Sequence, residues 1–196
     1  MTTTTSHTNP IRLLGIAGSL RDASFNRALL RAAVELAPSG VEITTFDDPG
    51  ALPFYDADVE SAGEPLAVHA LRSAIDEADA LLIATPEYND GTSAVLKNAI
   101  DWASRPPQRT LAGKPAAVMG ASVTPSGARG GIESVKRALG RAGSDVIDEQ
   151  VAVPSVAGVF DVDLHLTDPL VRAEVAGVVA TLAAHARTVA EEKLAA

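Results

Sequence analysis

Ser19, Arg21, Ser24 and Asn26 crowd one junction, where an apolar run from Ile11 to Ala17 stops at Gly18 and a helical pattern begins. A strand–loop–helix junction of this kind aims free backbone N–H groups and the positive end of a helix dipole at one point. That is what a phosphate requires, and hydroxyl, guanidinium and amide side chains add donors with little bulk. Neither G-x-G-x-x-G nor G-x-x-x-x-G-K-[ST] is present in this loop, so the dinucleotide fingerprint and the nucleoside triphosphate loop are both excluded. A Ser/Asn-rich loop after a first strand suits a terminal monophosphate instead. Part of the pattern also suits plain capping of the following helix by Ser24 or Asn26.

Two further polar segments follow apolar runs. Thr85-Pro86-Glu87-Tyr88-Asn89-Asp90-Gly91 comes after Ala80–Ala84, and its Pro, Tyr and Gly shape a stiff turn with an aromatic face. Ser122 to Gly131 follows Pro115–Ser122, and its glycines, Gly127 among them, permit close approach of a planar ligand. Either segment alone also reads as an ordinary connection.

The elements that must bring these segments together alternate strand and helix. Ile11–Ala17, Val41–Phe46, Ala80–Ala84, Pro115–Ser122 and Val146–Val153 read as strands, the last interrupted near Asp148–Gln150. Phe25 to Leu36, Val68 to Ala78, Val95 to Ala103, a helix opening at Ile132 with Gly143 at its end, and Pro169 to Leu194 carry helical spacing. Alternation of this kind predicts a parallel sheet with helices on both faces, and one order that such a doubly wound sheet takes is 2-1-3-4-5. In that order the first, third and fourth strands are neighbours, so their three polar loops converge.

The chain has 196 residues, 46% of them hydrophobic, which fits one globular α/β domain over residues 11–196. MTTTTSHTNP has neither a basic nor an apolar segment and reads as a disordered leader over residues 1–10. No apolar run reaches the roughly 18 residues of a membrane span. A formal net charge of −9, with 16 Lys and Arg in no run, argues against nucleic acid and anionic membranes as partners. The absence of cysteine excludes disulfides and thiolate sites and is compatible with a cytoplasmic location. His7, His69, His165 and His185 lack ligand spacing, so no metal site is expected.

With these segments in view, the sequence resembles the NAD(P)H-dependent FMN reductase family, the flavodoxin-like group that includes quinone, chromate and azo-dye reductases. Gly18-Ser19-Leu20-Arg21-Asp22-Ala23-Ser24-Phe25-Asn26 resembles its first loop and Leu52-Pro53-Phe54-Tyr55-Asp56 its segment after the second strand. Thr85-Pro86-Glu87-Tyr88-Asn89 with Leu96-Lys97-Asn98-Ala99-Ile100-Asp101-Trp102 resembles its second signature. Gly113-Lys114-Pro115 and Met119-Gly120-Ala121-Ser122 resemble its fourth-strand region. The resemblance implies a flavodoxin-like three-layer α/β/α fold with FMN as cofactor and NADPH or NADH as co-substrate. Electrons would pass to a small-molecule acceptor such as a quinone, flavin, azo compound or metal oxyanion. It implies that Ser19, Arg21, Ser24 and Asn26 hold the FMN phosphate. Pro86, Glu87, Tyr88 and Asn89 would line the isoalloxazine and ribityl chain, and Ser122 and the glycines after it, including Gly127, would close the third side.

Hydride transfer to a flavin requires no acid–base residue, so none is named as catalytic. A homodimer or homotetramer is implied as well, with Lys97, Asp101 and Trp102 on a helix that relatives often use in packing; Trp102 reads equally as core. Arg105, Arg109 and Arg129 are the candidates for contact with a coenzyme 2′-phosphate. Two segments depart from the family pattern: Asp90-Gly91-Thr92-Ser93-Ala94, and Val123-Thr124-Pro125 in a longer third loop. The first motivates a second reading, an FMN-binding electron carrier reduced by a partner protein.

Overall fold

The computed structural model describes residues 9–195, so the leader expected over residues 1–10 lies outside the described residues apart from Asn9 and Pro10. Five strands, β1 (Ile11–Ala17), β2 (Val41–Thr45), β3 (Ala80–Thr85), β4 (Pro115–Ala121) and β5 (Asp145–Val153), form a parallel sheet in the order β2-β1-β3-β4-β5. The helices between and after them are α1 (Phe25–Glu35), α2 (Ala57–Ala62), α3 (Leu66–Glu77), α4 (Ala94–Ala103), α5 (Arg129–Arg141) and α6 (Pro169–Ala195). This is the flavodoxin-like three-layer arrangement that the alternating pattern predicts.

Burial on both faces accounts for the unbroken apolar runs of the strands. Leu13 of β1, Leu82 of β3 and Met119 of β4 face a layer built with Leu29 of α1 and Val175 and Leu182 of α6. Leu14 and Ile16, Leu81 and Ile83, and Val118 face the opposite layer, with Leu71 of α3, Leu96 and Trp102 of α4, and Ile132 of α5. Trp102 is core: it is 1% exposed, meets Tyr55 edge-on at 5.0 Å and donates its indole N–H to the Pro53 carbonyl at 2.7 Å.

The connection from β2 to α3 holds more structure than the sequence predicts. A 3-10 turn spans Pro49–Ala51, and α2 follows, with Asp56 accepting from the Asp58 N–H at 2.8 Å. No residue of α2 is buried, so it has no apolar periodicity to read. The connection is pinned from α4, where Asn98 accepts from the Tyr55 N–H at 2.8 Å and donates to the Pro53 carbonyl at 2.9 Å. Buried Arg72 donates to the Trp102 carbonyl at 2.9 Å and pairs with Glu64. The expected interruption of β5 is a bulge: Ala116 pairs with Val146, but Val118 pairs with Gln150.

Candidate active site

The loops after β1, β3 and β4 leave adjacent strands at the carboxyl edge of the sheet, where doubly wound folds bind ligands. They are also stitched to one another. In loop one, Gly18 donates its N–H to the Ala84 carbonyl at 2.8 Å. A Cβ at Gly18 would stand 2.5 Å from Leu96 Cδ1 and 2.9 Å from Ser93 Oγ, so glycine is what lets this loop press against the start of α4.

Ser19 is 4% exposed, and its hydroxyl oxygen is buried with no hydrogen-bond partner among the described residues. It lines a cavity of about 210 Å³ together with Arg27, Arg31 and Asp47. Ser24 is fully buried and caps α1, accepting from the Arg27 N–H at 3.4 Å. The N–H groups of Phe25 and Asn26, in the first turn, have no intrahelical acceptor. Arg21 is exposed at the loop's edge.

Asn26 corrects the expectation of a free side-chain donor. Its carboxamide donates to the Ala121 carbonyl at 3.0 Å and accepts from the Ala121 N–H at 2.8 Å. It clasps α1 to the end of β4, and what α1 offers a ligand at this position is the main-chain N–H.

Loop two is a tight turn. Tyr88 and Gly91 exchange both backbone hydrogen bonds, at 3.1 and 3.0 Å, around Asn89 (φ 51°) and Asp90 (φ 58°). Two successive left-handed residues are the pattern of a type I′ turn, which Asn and Asp tolerate. Pro86 is buried, and Tyr88 is half exposed at the rim.

The Glu87 carboxylate faces the start of α5. It accepts from the Gly130 N–H at 2.7 Å, from the Gly131 N–H at 3.4 Å and from the Ser126 hydroxyl at 2.9 Å. α5 needs this help, because Ala128 at its N-cap is left-handed and has no capping side chain. Ser122, Thr124 and Ser126 continue the polar chain, each hydroxyl 2.8 Å from the next. The longer third loop is thereby tied to loop two. Its glycines serve the protein's own packing: a Cβ at Gly131 would stand 2.5 Å from the Pro86 carbonyl oxygen, and one at Gly127 2.9 Å from the Pro154 nitrogen.

Three helices present their positive ends here, and their partners decide which can take an anion. α5 already holds the Glu87 carboxylate, whereas α1 and α4 each carry a serine cap, Ser24 accepting from the Arg27 N–H at 3.4 Å and Ser93 from the Leu96 N–H at 3.3 Å. Each also follows a buried hydroxyl, Ser19 or Thr92, that has no partner among the described residues; what the α1 end adds is Arg27 and Arg31 on the cavity that Ser19 lines. An unsatisfied buried hydroxyl costs about 1–3 kcal/mol, which a phosphate oxygen would relieve. Arg27, on the first turn of α1, escaped the sequence reading because its position beside Ser19 depends on how the loop folds back.

A second concavity, a groove of about 830 Å³, runs between α4 and α5 from Gly91 and Thr92 in loop two. Among the described residues no cluster of His, Cys, Asp and Glu could hold a metal ion. His69, His165 and His185 pair instead with Glu64, Asp161 and Asp145. Away from the site, burial holds the Lys114 ammonium below its ordinary pKa, and hydrogen bonds from His165 hold Asp161 below its own. No helix among the described residues is long and apolar enough to cross a membrane.

The fold defines a flavodoxin-like protein. A family model described as NADPH-dependent FMN reductase matches residues 11–158, and the chain belongs to that family. It is 54% identical over 112 residues to an NAD(P)H-dependent FMN reductase of Pseudomonas aeruginosa, covering 57% of this chain and 60% of that protein. It is 41% identical over 114 residues to a quinone reductase of Escherichia coli K12, covering 58% and 61%. The chain thus spans about three fifths of the length of these curated relatives. Among solved structures it is similar to FerB, a flavoenzyme NAD(P)H:(acceptor) oxidoreductase from Paracoccus denitrificans. That match has a TM-score of 0.83 and 32% identity and covers 91% of this chain and 98% of the other.

Proposed function

We propose that residues 11–196 act as one FMN-binding domain that catalyses NAD(P)H-dependent reduction of a small-molecule acceptor of the quinone class. The buried Ser19 hydroxyl, without a partner among the described residues and beside Arg27 and Arg31 at the start of α1, carries this reading. Ser19, the N–H groups of Phe25 and Asn26, and the Ser24 backbone would hold the FMN phosphate, with Arg21 and Arg27 supplying positive charge. Pro86, Tyr88 and Asn89 would border the ring and ribityl chain on one side and Ser122 on another. Glu87 holds loops two and three in register. Bound FMN supplies the hydride and electron chemistry. Loop two would border the ring, and the α1 dipole would favour the phosphate.

The segment Asp90–Ala94, which motivates the electron-carrier reading, begins in the tight turn of loop two and leads to the mouth of the α4–α5 groove. A concavity beside the ring position favours direct reduction by a coenzyme. The protein also functions as a homodimer or homotetramer in the cytoplasm. Leu20, Phe54 and Tyr88, 53%, 80% and 50% exposed, form an apolar rim at the loops that a second copy would cover. Sedimentation of a monomer at micromolar concentration contradicts that assembly.

Calorimetry of FMN against riboflavin tests the phosphate cradle. FMN binding at least about a hundredfold tighter is expected, the scale of two or three charge-assisted hydrogen bonds. Equal affinities overturn it.

A further inference from the structure

We propose that Glu87, Ser126 and Thr124 fix the Ser122 hydroxyl as a hydrogen-bond acceptor, and that through it the protein recognises the imide N–H of the flavin ring. This rests on the FMN reading above and deepens it by assigning three positioning residues behind Ser122. One of them, Thr124, lies in the segment Val123-Thr124-Pro125 that departs from the family pattern. Ser122 follows directly on the end of β4 at Ala121, which the Asn26 carboxamide ties to α1. Its main chain is already engaged. The N–H donates to the Val153 carbonyl at 3.0 Å, and the carbonyl accepts from the Val156 N–H at 3.3 Å. That leaves the half-buried side chain for a ligand.

The row of hydroxyls has a direction, and its far end sets it. The Glu87 carboxylate can only accept, and it takes the Gly130 N–H at 2.7 Å, the Gly131 N–H at 3.4 Å and the Ser126 hydroxyl at 2.9 Å. A hydroxyl has one hydrogen. Ser126 gives its own to Glu87, so its oxygen accepts from Thr124 at 2.8 Å. Thr124 in turn accepts from Ser122, again at 2.8 Å. The Ser122 hydrogen is thereby engaged, and its oxygen also accepts from the Thr124 N–H at 3.2 Å. A hydroxyl oxygen has two lone pairs, so one remains. Each bond in such a row polarises the next, and a charge at one end gives all of them the same sense.

A ligand therefore meets an acceptor at Ser122 and no donor. The residue type alone does not decide this, because a free serine hydroxyl donates as readily as it accepts. The ring's carbonyl oxygens and unprotonated nitrogens are acceptors themselves and do not suit such a partner. The oxidised isoalloxazine carries a single N–H, the imide between its two carbonyls, and this is the group that fits. A carbonyl set against the remaining lone pair would be repelled and left without a donor. The row thus selects which edge of the ring meets loop three, by rejecting the wrong one as well as by binding the right one.

The test loads the full, unlabelled chain with ¹⁵N-labelled FMN and reads the imide proton by NMR, a signal that belongs to the flavin alone. Its exchange with water should be about tenfold or more slower than in free FMN, the scale of one hydrogen bond. Glu87→Gln should abolish that protection with FMN still bound. The new amide oxygen can accept from Gly130 while its NH2 donates to Ser126, so the row reverses and Ser122 donates. Thr124→Val, at an exposed position, should abolish the protection by breaking the row, and Thr124→Ser should keep it. An imide proton that exchanges as in free FMN overturns the proposal, and so does protection that survives in either Glu87→Gln or Thr124→Val. Protection lost equally in Thr124→Ser also overturns it, because a general disturbance of the loop then accounts for the effect. A protein that takes up no FMN overturns both this proposal and the reading beneath it. A protected imide in a protein that NADPH leaves oxidised keeps the Ser122 assignment and loses the reductase reading, and an unprotected imide in a protein that NADPH reduces does the reverse.

Discussion

Ser19 and Asn26 lie in one motif, look alike to a sequence reading, and do different work. The Ser19 hydroxyl is buried with no partner among the described residues, a cost that a ligand oxygen would relieve. The Asn26 carboxamide is satisfied on both sides by Ala121. Ser19→Ala should therefore weaken FMN binding about tenfold while leaving apo stability unchanged or slightly raised. Asn26→Ala should cost about 2 kcal/mol or more of stability, since it strands two buried backbone groups. Flavin calorimetry and urea unfolding of both variants read the two effects separately, and the reverse pattern would contradict the assignment. The phosphate-loop residues were legible because they are local: a few positions between a strand and a helix. Arg27 was not read with them, because the cavity it lines with Ser19 joins segments far apart in the chain.

At the scale of elements, the strands and the long helices followed from periodicity, since two-sided burial leaves continuous apolar runs and helices leave stripes. α2 did not, because nothing on it is buried. The role of Glu87 was out of reach for another reason. α5 lacks a cap of its own, and the sequence around Ala128 does not reveal that a carboxylate more than three dozen residues earlier supplies it. Glu87→Ala should destabilise the protein by about 1–3 kcal/mol, through lost capping and an uncompensated helix dipole. Hydrogen exchange should locate the loss at the Gly130 and Gly131 amides and in loop three. Unchanged protection at those amides would show that the carboxylate does not hold α5.

For the whole molecule, the order β2-β1-β3-β4-β5 is what makes three sequence-distant loops one site. Alternation gave the parallel sheet and the family resemblance its order, whereas the stitching of the loops was not legible, because it depends on contacts such as Gly18 against Leu96 and Gly131 against Pro86. Three polar loops at one edge of the sheet are what the proposed FMN-dependent reduction requires. The most direct test is anaerobic titration of the FMN-loaded protein with NADPH, followed by loss of the flavin's visible absorbance. Complete bleaching at one equivalent per flavin, reversed by a quinone, is the result this account predicts. Flavin that dithionite bleaches but NADPH leaves yellow would contradict it.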